Sequence, residues 1–416
     1  MRSGEHWQWR ARGRAWVTRC TLGALLAVAG AQACNPHKAQ EKDAGSSRPV
    51  DALDARALKA ALGAYADLAF RGYTDAALGA RALLESVEHL VAEPSANTLA
   101  AARAAWLAAR KPYQRTEALR FYDGPIDRVE MRINTWPIDE TYVEGSAEHG
   151  RIGIIDDPKT YPELTSELLA KLNAKEGETS ISTGWHVIEF LLWGKDTRAD
   201  GPGDRPFSDF VGEPGSRAAR RGRYLHVVTE LLVADLEGLR DAWAPDHPGN
   251  YRAAFGARPP REALALAIKG MGSLSGPELA GERLTVAYET KAQENEHSCF
   301  SDNTVADLTD DAIGIRQVCL GRREGEASTQ KNGICDVVAE RDPALGRELR
   351  AAVEASVAKV AAIPAPFDQS MLGDDATPGR VAIKTAITTL EQQTAALARV
   401  AALFDVRLSL ASHTAP

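Results

Sequence analysis

Residues 54–95 read "DARALKAALGAYADLAFRGYTDAALGARALLESVEHLVAEPS" and hold no proline until Pro94. Apolar side chains return at three- and four-residue steps, among them Leu58, Ala61, Tyr65, Leu68, Tyr73, Leu83, Val87 and Leu90. That period belongs to one face of a long helix, because side chains three and four apart stack above one another. The rhythm continues over 95–125, where Ser95 or Asn97 is placed to cap the start and Pro112 to kink the interior.

It recurs in "RAARRGRYLHVVTELLVADLEGLRDAW" at 217–243, and helices read well at 277–296, 302–318, 343–361 and 378–405. Strand-like alternation is almost absent, so the expected fold class is all-α. Loops are expected at 123–160, 195–216, 244–260 and 319–334, where Pro, Gly and polar residues gather. The stretch "APDHPGNYRAAFGARPP" at 244–260 separates two helical halves. Two packed, four-helix-bundle-like domains are therefore expected, at 51–250 and 251–411.

Residues 1–19 carry five arginines and one acid, and an apolar run follows from Cys20 to about Ala31. A basic start, a short apolar middle and an Ala-x-Ala-like end describe an export signal over 1–33, too short to persist as a spanning helix. Cys34 follows directly and is the expected lipid attachment point. Ala31 stands where such signals usually hold leucine, which leaves plain cleavage open. Residues 34–50, including "KAQEKDAGSSRP", would tether the body to a membrane, at the periplasm or cell surface. The 49 basic and 57 acidic side chains give a net charge of −8, and loss of residues 1–33 makes the remainder more acidic. An acidic exported body argues against nucleic acid as partner and is compatible with cation capture. Cys319 and Cys335 flank the polar loop "LGRREGEASTQKNGI", which their pairing would close, leaving Cys299 free or buried.

Chemistry concentrates in "GWHVIEFLLWGKD" at 184–196. Thr183 is placed to cap a helix on which His186 and Glu189 share a face, amid apolar side chains in almost every other direction. A buried carboxylate needs a partner, so this pair is either a hydrogen-bonded core pair or part of a site. Two neighbouring segments favour a site. "YQRTEALRFYDGPID" brings Tyr113, Glu117, Arg120 and Asp127, and "MRINTWPIDETYVEG" brings Asn134, Trp136, Asp139, Glu140 and Tyr142. Aromatic and acidic residues interleaved in an irregular segment are poor core material. Further on, Glu282, Arg283, His297, Ser301, Asp302 and Asn303 gather near a helix end, where Asp302 alone would serve as the next N-cap.

The Gly-x-His-x-x-Glu string at Gly184, His186 and Glu189 resembles the signature of the imelysin-like proteins, peptidase family M75, which includes iron-regulated bacterial surface proteins. "NTWPIDETYVE", "RPFSDF", "GSLSGPELAGER" and "EHSCFSDNT" resemble stretches of the same family in the same order, from about residue 52 to 408. The resemblance implies two helical bundles with the site in the cleft between them, export to the periplasm or outer membrane, and a link with iron uptake. Its matching polar positions are Glu117, Asp139, Arg205, Arg283 and Asp302. A metal set of His186, Glu189, Glu117 and Asp139 is expected, with Trp136, Arg205, Arg283, His297 and Asp302 lining a ligand.

The peptidase label meets a difficulty in the residues. A helical zinc-peptidase motif needs a second histidine and a separate base, and Val187 and Phe190 stand at those places. One imidazole with several carboxylates suits iron, or another divalent metal such as manganese. The preferred reading is a non-enzymatic binder of iron or an iron-bearing ligand, with a protein partner in an uptake system. A metallopeptidase is the alternative, and an interaction protein with a structural His–Glu pair is the third.

Overall fold

The computed structural model describes residues 55–406, apart from 147, 149, 199–200 and 328–331. The expected export signal, Cys34 and the expected tether lie outside the described residues. The protein is all-α. Its helices in chain order are α1 (Ala55–Ala92), α2 (Ala96–Gln114), α3 (Glu130–Ile133), α4 (Glu140–Glu144), α5 (Ser166–Leu172), α6 (Trp185–Trp193), α7 (Arg217–Ala242) and α8 (Tyr251–Gly256). There follow α9 (Pro260–Ser273), α10 (Val286–Thr290), α11 (Thr304–Leu320), α12 (Ile334–Arg341), α13 (Pro343–Val360), α14 (Phe367–Met371) and α15 (Pro378–Leu403). No described helix is long and apolar enough to cross a membrane.

The stripe read from residues 54–95 is the buried face of α1, with Tyr65, Tyr73, Leu83, Val87 and Leu90 all inside. It packs against α2 and α7. Small residues let the axes approach closely, and a Cβ on Gly79 would stand 2.9 Å from the Ala109 Cα of α2. Ser95 caps α2 by accepting from Thr98 N–H, while the Thr98 hydroxyl oxygen accepts from Ser95 N–H. In the second half α15 packs against α13, α9 and the segment that joins α9 to α10, while α11 joins α13 to α2. Because α1 also touches α9 and α12, one buried apolar cluster runs through elements of both halves. Each large apolar side chain so buried contributes about 1.5–3 kcal/mol.

Three local expectations need correction. The helix expected at 277–296 stops at Thr290, because Lys291 turns left-handed at φ 55° and its N–H closes on the Ala287 carbonyl. Before it, Leu274–Thr285 is wound as a π-helix continuous with α9 and α10. Thr183 does not cap α6; the cap position is Gly184, at φ 90°, and the Thr183 hydroxyl is buried without a partner. Nor does Asp302 cap α11, whose cap position is Asn303.

A disulfide joins Cys319 to Cys335 across a Cα separation of 4.9 Å, and Cys299 is free and half-buried.

Candidate functional site

Every residue of α6 from Trp185 to Trp193 is buried. A helix apolar all round can only lie inside a core, and here it packs on α2 and α7. Its entry is tightly fixed. A Cβ at position 184 would lie 2.4 Å from the Ile133 carbonyl oxygen, and the positive φ disfavours any other residue, so glycine is needed on both counts. The indole N–H of Trp106 on α2 donates to the Trp185 carbonyl at 3.1 Å, locking the first turn in rotation.

This turn aims His186 and Glu189 at the start of α11. His186 is 2% and Glu189 0% exposed. His186 Nδ1 lies 2.9 Å from Glu189 Oε2, and its Nε2 lies 3.2 Å from Arg110 Nη2. Arginine can only donate, so Nε2 is the acceptor and the proton sits on Nδ1, donated to Glu189. The other carboxylate oxygen of Glu189 accepts from the Ser301 N–H at 3.0 Å and the Ser301 hydroxyl at 2.7 Å. Burial holds the imidazole well below its ordinary range, reinforced by the Arg110 charge, so His186 is neutral at pH 7. Burial likewise pushes the Glu189 carboxyl up, toward about 8, whereas the Ser301 donors and Arg110 favour the ionised form that the three donors around its oxygens require.

Arg110 is itself fully buried on α2. It donates to Asp307 from Nε at 3.1 Å and from Nη2 at 3.0 Å, and to the Asn134 side-chain oxygen. The rings of Trp106, Tyr113 and Trp185 surround it at 5.6–5.7 Å. Asp307 also accepts from the Ser298 hydroxyl at 2.6 Å and holds His297 Nδ1 at 3.0 Å. The rings of His186 and His297 meet edge to face at 4.9 Å, and Trp136 meets His297 from another side at 5.4 Å. The arrangement is two imidazoles, each with Nδ1 committed to a carboxylate, beside one guanidinium. A carboxylate on Nδ1 orients an imidazole and raises the basicity of its other nitrogen, which makes Nε2 the atom that can ligate.

A second polar cluster lies alongside. Arg283, on the π-helical segment, donates to Glu117 at 2.8 Å, Asp311 at 2.7 Å and Glu278 at 2.8 Å. Glu117 also pairs with Arg120. Burial would raise the Glu117 carboxyl, but Arg120 and Arg283 overcome it and hold it at about 2. Asp311 shares Arg283 with two other carboxylates; burial, helped by Glu117 and Asp307, pushes it well above the carboxylate range. Close approach of backbones shapes this corner, since a Cβ on Gly314 of α11 would stand 2.6 Å from the Arg115 carbonyl oxygen.

The structure thus brings together His186, Glu189, His297 and Trp136, with Asp302 following Ser301. It does not gather the metal set expected from the sequence. Glu117 and Asp139 join neither His186 nor Glu189 in any group of three ligand atoms among the described residues. Glu117 is claimed by two guanidinium groups, and Asp139 caps α4 by accepting from Thr141 N–H at 2.9 Å while pairing with Arg151. Arg205 is also elsewhere. It bridges Glu144 at 3.1 Å and Asp209 at 2.9 Å near the C-terminal end of α6, beside an open cleft of about 390 Å³. Arg283 serves the second cluster. Arg110, Asp307 and Ser298 are the residues the sequence reading missed. The available signal was an arginine on the face of α2 whose other members are Leu99, Trp106 and Tyr113.

A sequence profile of the imelysin family, peptidase family M75, matches residues 69–397. The chain is 24% identical over 330 residues to iron-regulated protein A of Synechococcus elongatus, covering 76% of this chain and 78% of that one. Its fold is similar to a crystal structure from Parabacteroides distasonis described as a candidate iron-regulated protein A precursor. There the TM-score is 0.66 at 20% identity, over 87% of this chain and 97% of that one. An imelysin-like protein from Psychrobacter arcticus superposes with a TM-score of 0.60 at 16% identity, over 86% and 98% of the two chains. Together with the Gly184–His186–Glu189 signature seated in a buried helix, the profile match means that this chain belongs to the imelysin family.

Proposed function

We propose that this protein is a binder, not a peptidase, and takes up iron that arrives with anionic oxygen ligands of its own. One observation carries the reading: a neutral, oriented imidazole and a guanidinium stand side by side, 3.2 Å apart, at His186 and Arg110. The imidazole offers a lone pair to a metal, and the guanidinium offers a donor fork to the oxygens around it. A bare cation at Nε2 would meet the positive charge of Arg110 instead. Asp307 and Asn134 already hold Arg110, so it has partners when it leaves Nε2. The iron-regulated names borne by two relatives support an association with iron. Glu189 acts in this reading by orienting His186, not as a ligand.

A metallopeptidase needs metal-bound water and a base open to a peptide. Glu189 is already committed to His186 Nδ1 and to both Ser301 donors, so it is not free to act as that base. Residues 1–34 support export and anchoring through a lipid on Cys34. Mass spectrometry of the mature N-terminus tests that part, and an unmodified Cys34 or its absence from the mature chain would refute it.

The central test is calorimetric titration of the purified protein with ferric citrate and, separately, with ferrous ion. Stoichiometric uptake of the chelate, lost in His186→Gln and Arg110→Met while circular dichroism shows both folded, is expected. Uptake of ferrous ion alone, strengthened in Arg110→Met, would overturn the chelate reading. Chelator-sensitive cleavage of an unfolded protein, abolished by Glu189→Gln, would make the protein a peptidase. No uptake of either form would leave His186 and Glu189 as a structural pair.

A further inference from the structure

Glu296, Asp302 and Asp368 each present a carboxylate oxygen, and these three atoms all lie within 4.8 Å of one another. They come from two places in the chain: the irregular segment between α10 and α11, and the short helix α14. Proximity of acids alone says little. The second observation is the state of Glu296. It is 0% exposed, and neither of its carboxylate oxygens has a hydrogen bond of good geometry, although the Thr304 hydroxyl lies close enough to interact. Asp302 Oδ1 and Asp368 Oδ1 are also buried without partners.

Leaving one buried polar atom unpaired costs about 1–3 kcal/mol, and these three residues carry four such oxygens. Burial pushes the Glu296 carboxyl well above its ordinary range, with the nearby Thr304 hydroxyl opposing and Asp368 and Asp302 adding to the rise. Burial, Asp368 and Asp196 raise Asp302 to about 6, and Arg198 opposes without prevailing. The side-chain donors that the three residues offer are all oxygen. Oxygens within 4.8 Å of one another can share one ion, since ligands at about 2.3–2.6 Å from a calcium lie up to roughly 4.6–5.2 Å apart. Softer metals prefer nitrogen or sulfur donors, and these three residues offer neither.

We propose that Glu296, Asp302 and Asp368 form a binding site for a hard divalent cation of the calcium class, with water and main-chain oxygens completing its shell. The ion ties the 296–304 segment to α14. That segment also carries His297 and Ser301, which touch Asp307 and Glu189. The site is separate from the His186 centre and does not depend on what that centre binds.

The test is calorimetric titration of EGTA-stripped, purified protein with calcium, with magnesium and ferrous ion as comparison probes and the thermal midpoint read in parallel. One equivalent of calcium and a higher midpoint are expected, with magnesium at least about tenfold weaker. Asp302→Asn and Asp368→Asn should each weaken calcium binding at least about tenfold. His186→Gln should leave it unchanged. Glu296→Gln guards against misreading an unfolded variant: it should abolish the calcium response while its midpoint in EGTA equals or exceeds that of the parent. Folded parent protein that ignores millimolar calcium, or calcium binding that survives Asp368→Asn, would overturn the site. If ferrous ion is taken up instead, and is lost in Asp368→Asn but kept in His186→Gln, the calcium assignment falls and iron belongs to the acidic trio.

Discussion

Glu117 and Glu296 are both glutamates with almost no exposure, yet the chain treats them in opposite ways. Around Glu117, two guanidinium groups converge, and Arg283 reaches on to Glu278 and Asp311. Around Glu296 stand two more carboxylates, and both of its oxygens are unpaired. The difference separates charge neutralised for good from charge left to be neutralised on demand. A folded protein tolerates the first as structure, and the second calls for a visitor or a retained proton.

The strongest way to break this comparison is Arg283→Met. It strips the shared cation from three carboxylates and should cost about 3–5 kcal/mol, read from denaturant unfolding at pH 7. A loss under about 1 kcal/mol would mean that the Arg283 cluster is no more committed than the acidic trio.

Next in size is an acid effect. Glu117 is held at about 2, below its ordinary 4.5. The folded state therefore releases this proton more readily than the unfolded chain. The resulting stability is complete above about pH 4.5 and is lost as pH falls toward 2. Asp311, shifted upward mainly by burial and partly by Glu117, acts with the opposite sign at higher pH, and Glu117→Gln relaxes only the part that Glu117 causes. Glu117→Gln should lower stability at pH 7 by about 2–3 kcal/mol, and the gap to the parent should close as pH drops through that window. A gap that stays constant with pH would show that the loss comes from packing instead.

Glu296→Gln should have the reverse sign. In calcium-free buffer it removes an uncompensated acid and should leave stability unchanged or raise it by about 1 kcal/mol. A loss similar to that of Glu117→Gln would erase the distinction between the two glutamates. Asp139→Ala sets the smallest scale: about 0.5–1 kcal/mol for a lost helix cap, with iron uptake untouched. Lost uptake in that variant would return Asp139 to the metal site.

Much of the fold was legible because helical periodicity is local. Tyr65, Tyr73, Leu83 and Val87 announce the face of α1 without knowledge of what covers it. His186 and Glu189 stood out for the opposite reason, as two polar groups in a run that otherwise shuns water. Arg110 was hidden because an arginine in an alanine-rich helix looks the same facing solvent or core until its partner, Asp307, is found nearly two hundred residues later. Asp368 was hidden likewise, since nothing near α14 hints that two acids from another segment arrive beside it. Asp139 misled for a different reason. Its local string, Asp-Glu-Thr-Tyr, was itself a helix-start signal that the family resemblance outweighed.

The π-helical winding of Leu274–Thr285 has a consequence for how this protein tolerates change. Arg283 grips Glu278, five positions back, although on an ordinary helix such residues point roughly 140° apart. The segment therefore works as a counter of residues, and its length matters as much as its composition. Removing one residue between 278 and 283 would invite the tighter winding and swing the guanidinium away from Glu117 and Asp311 without altering any of those side chains. Along this stretch, a shortened chain should be harder to accept than a substituted one.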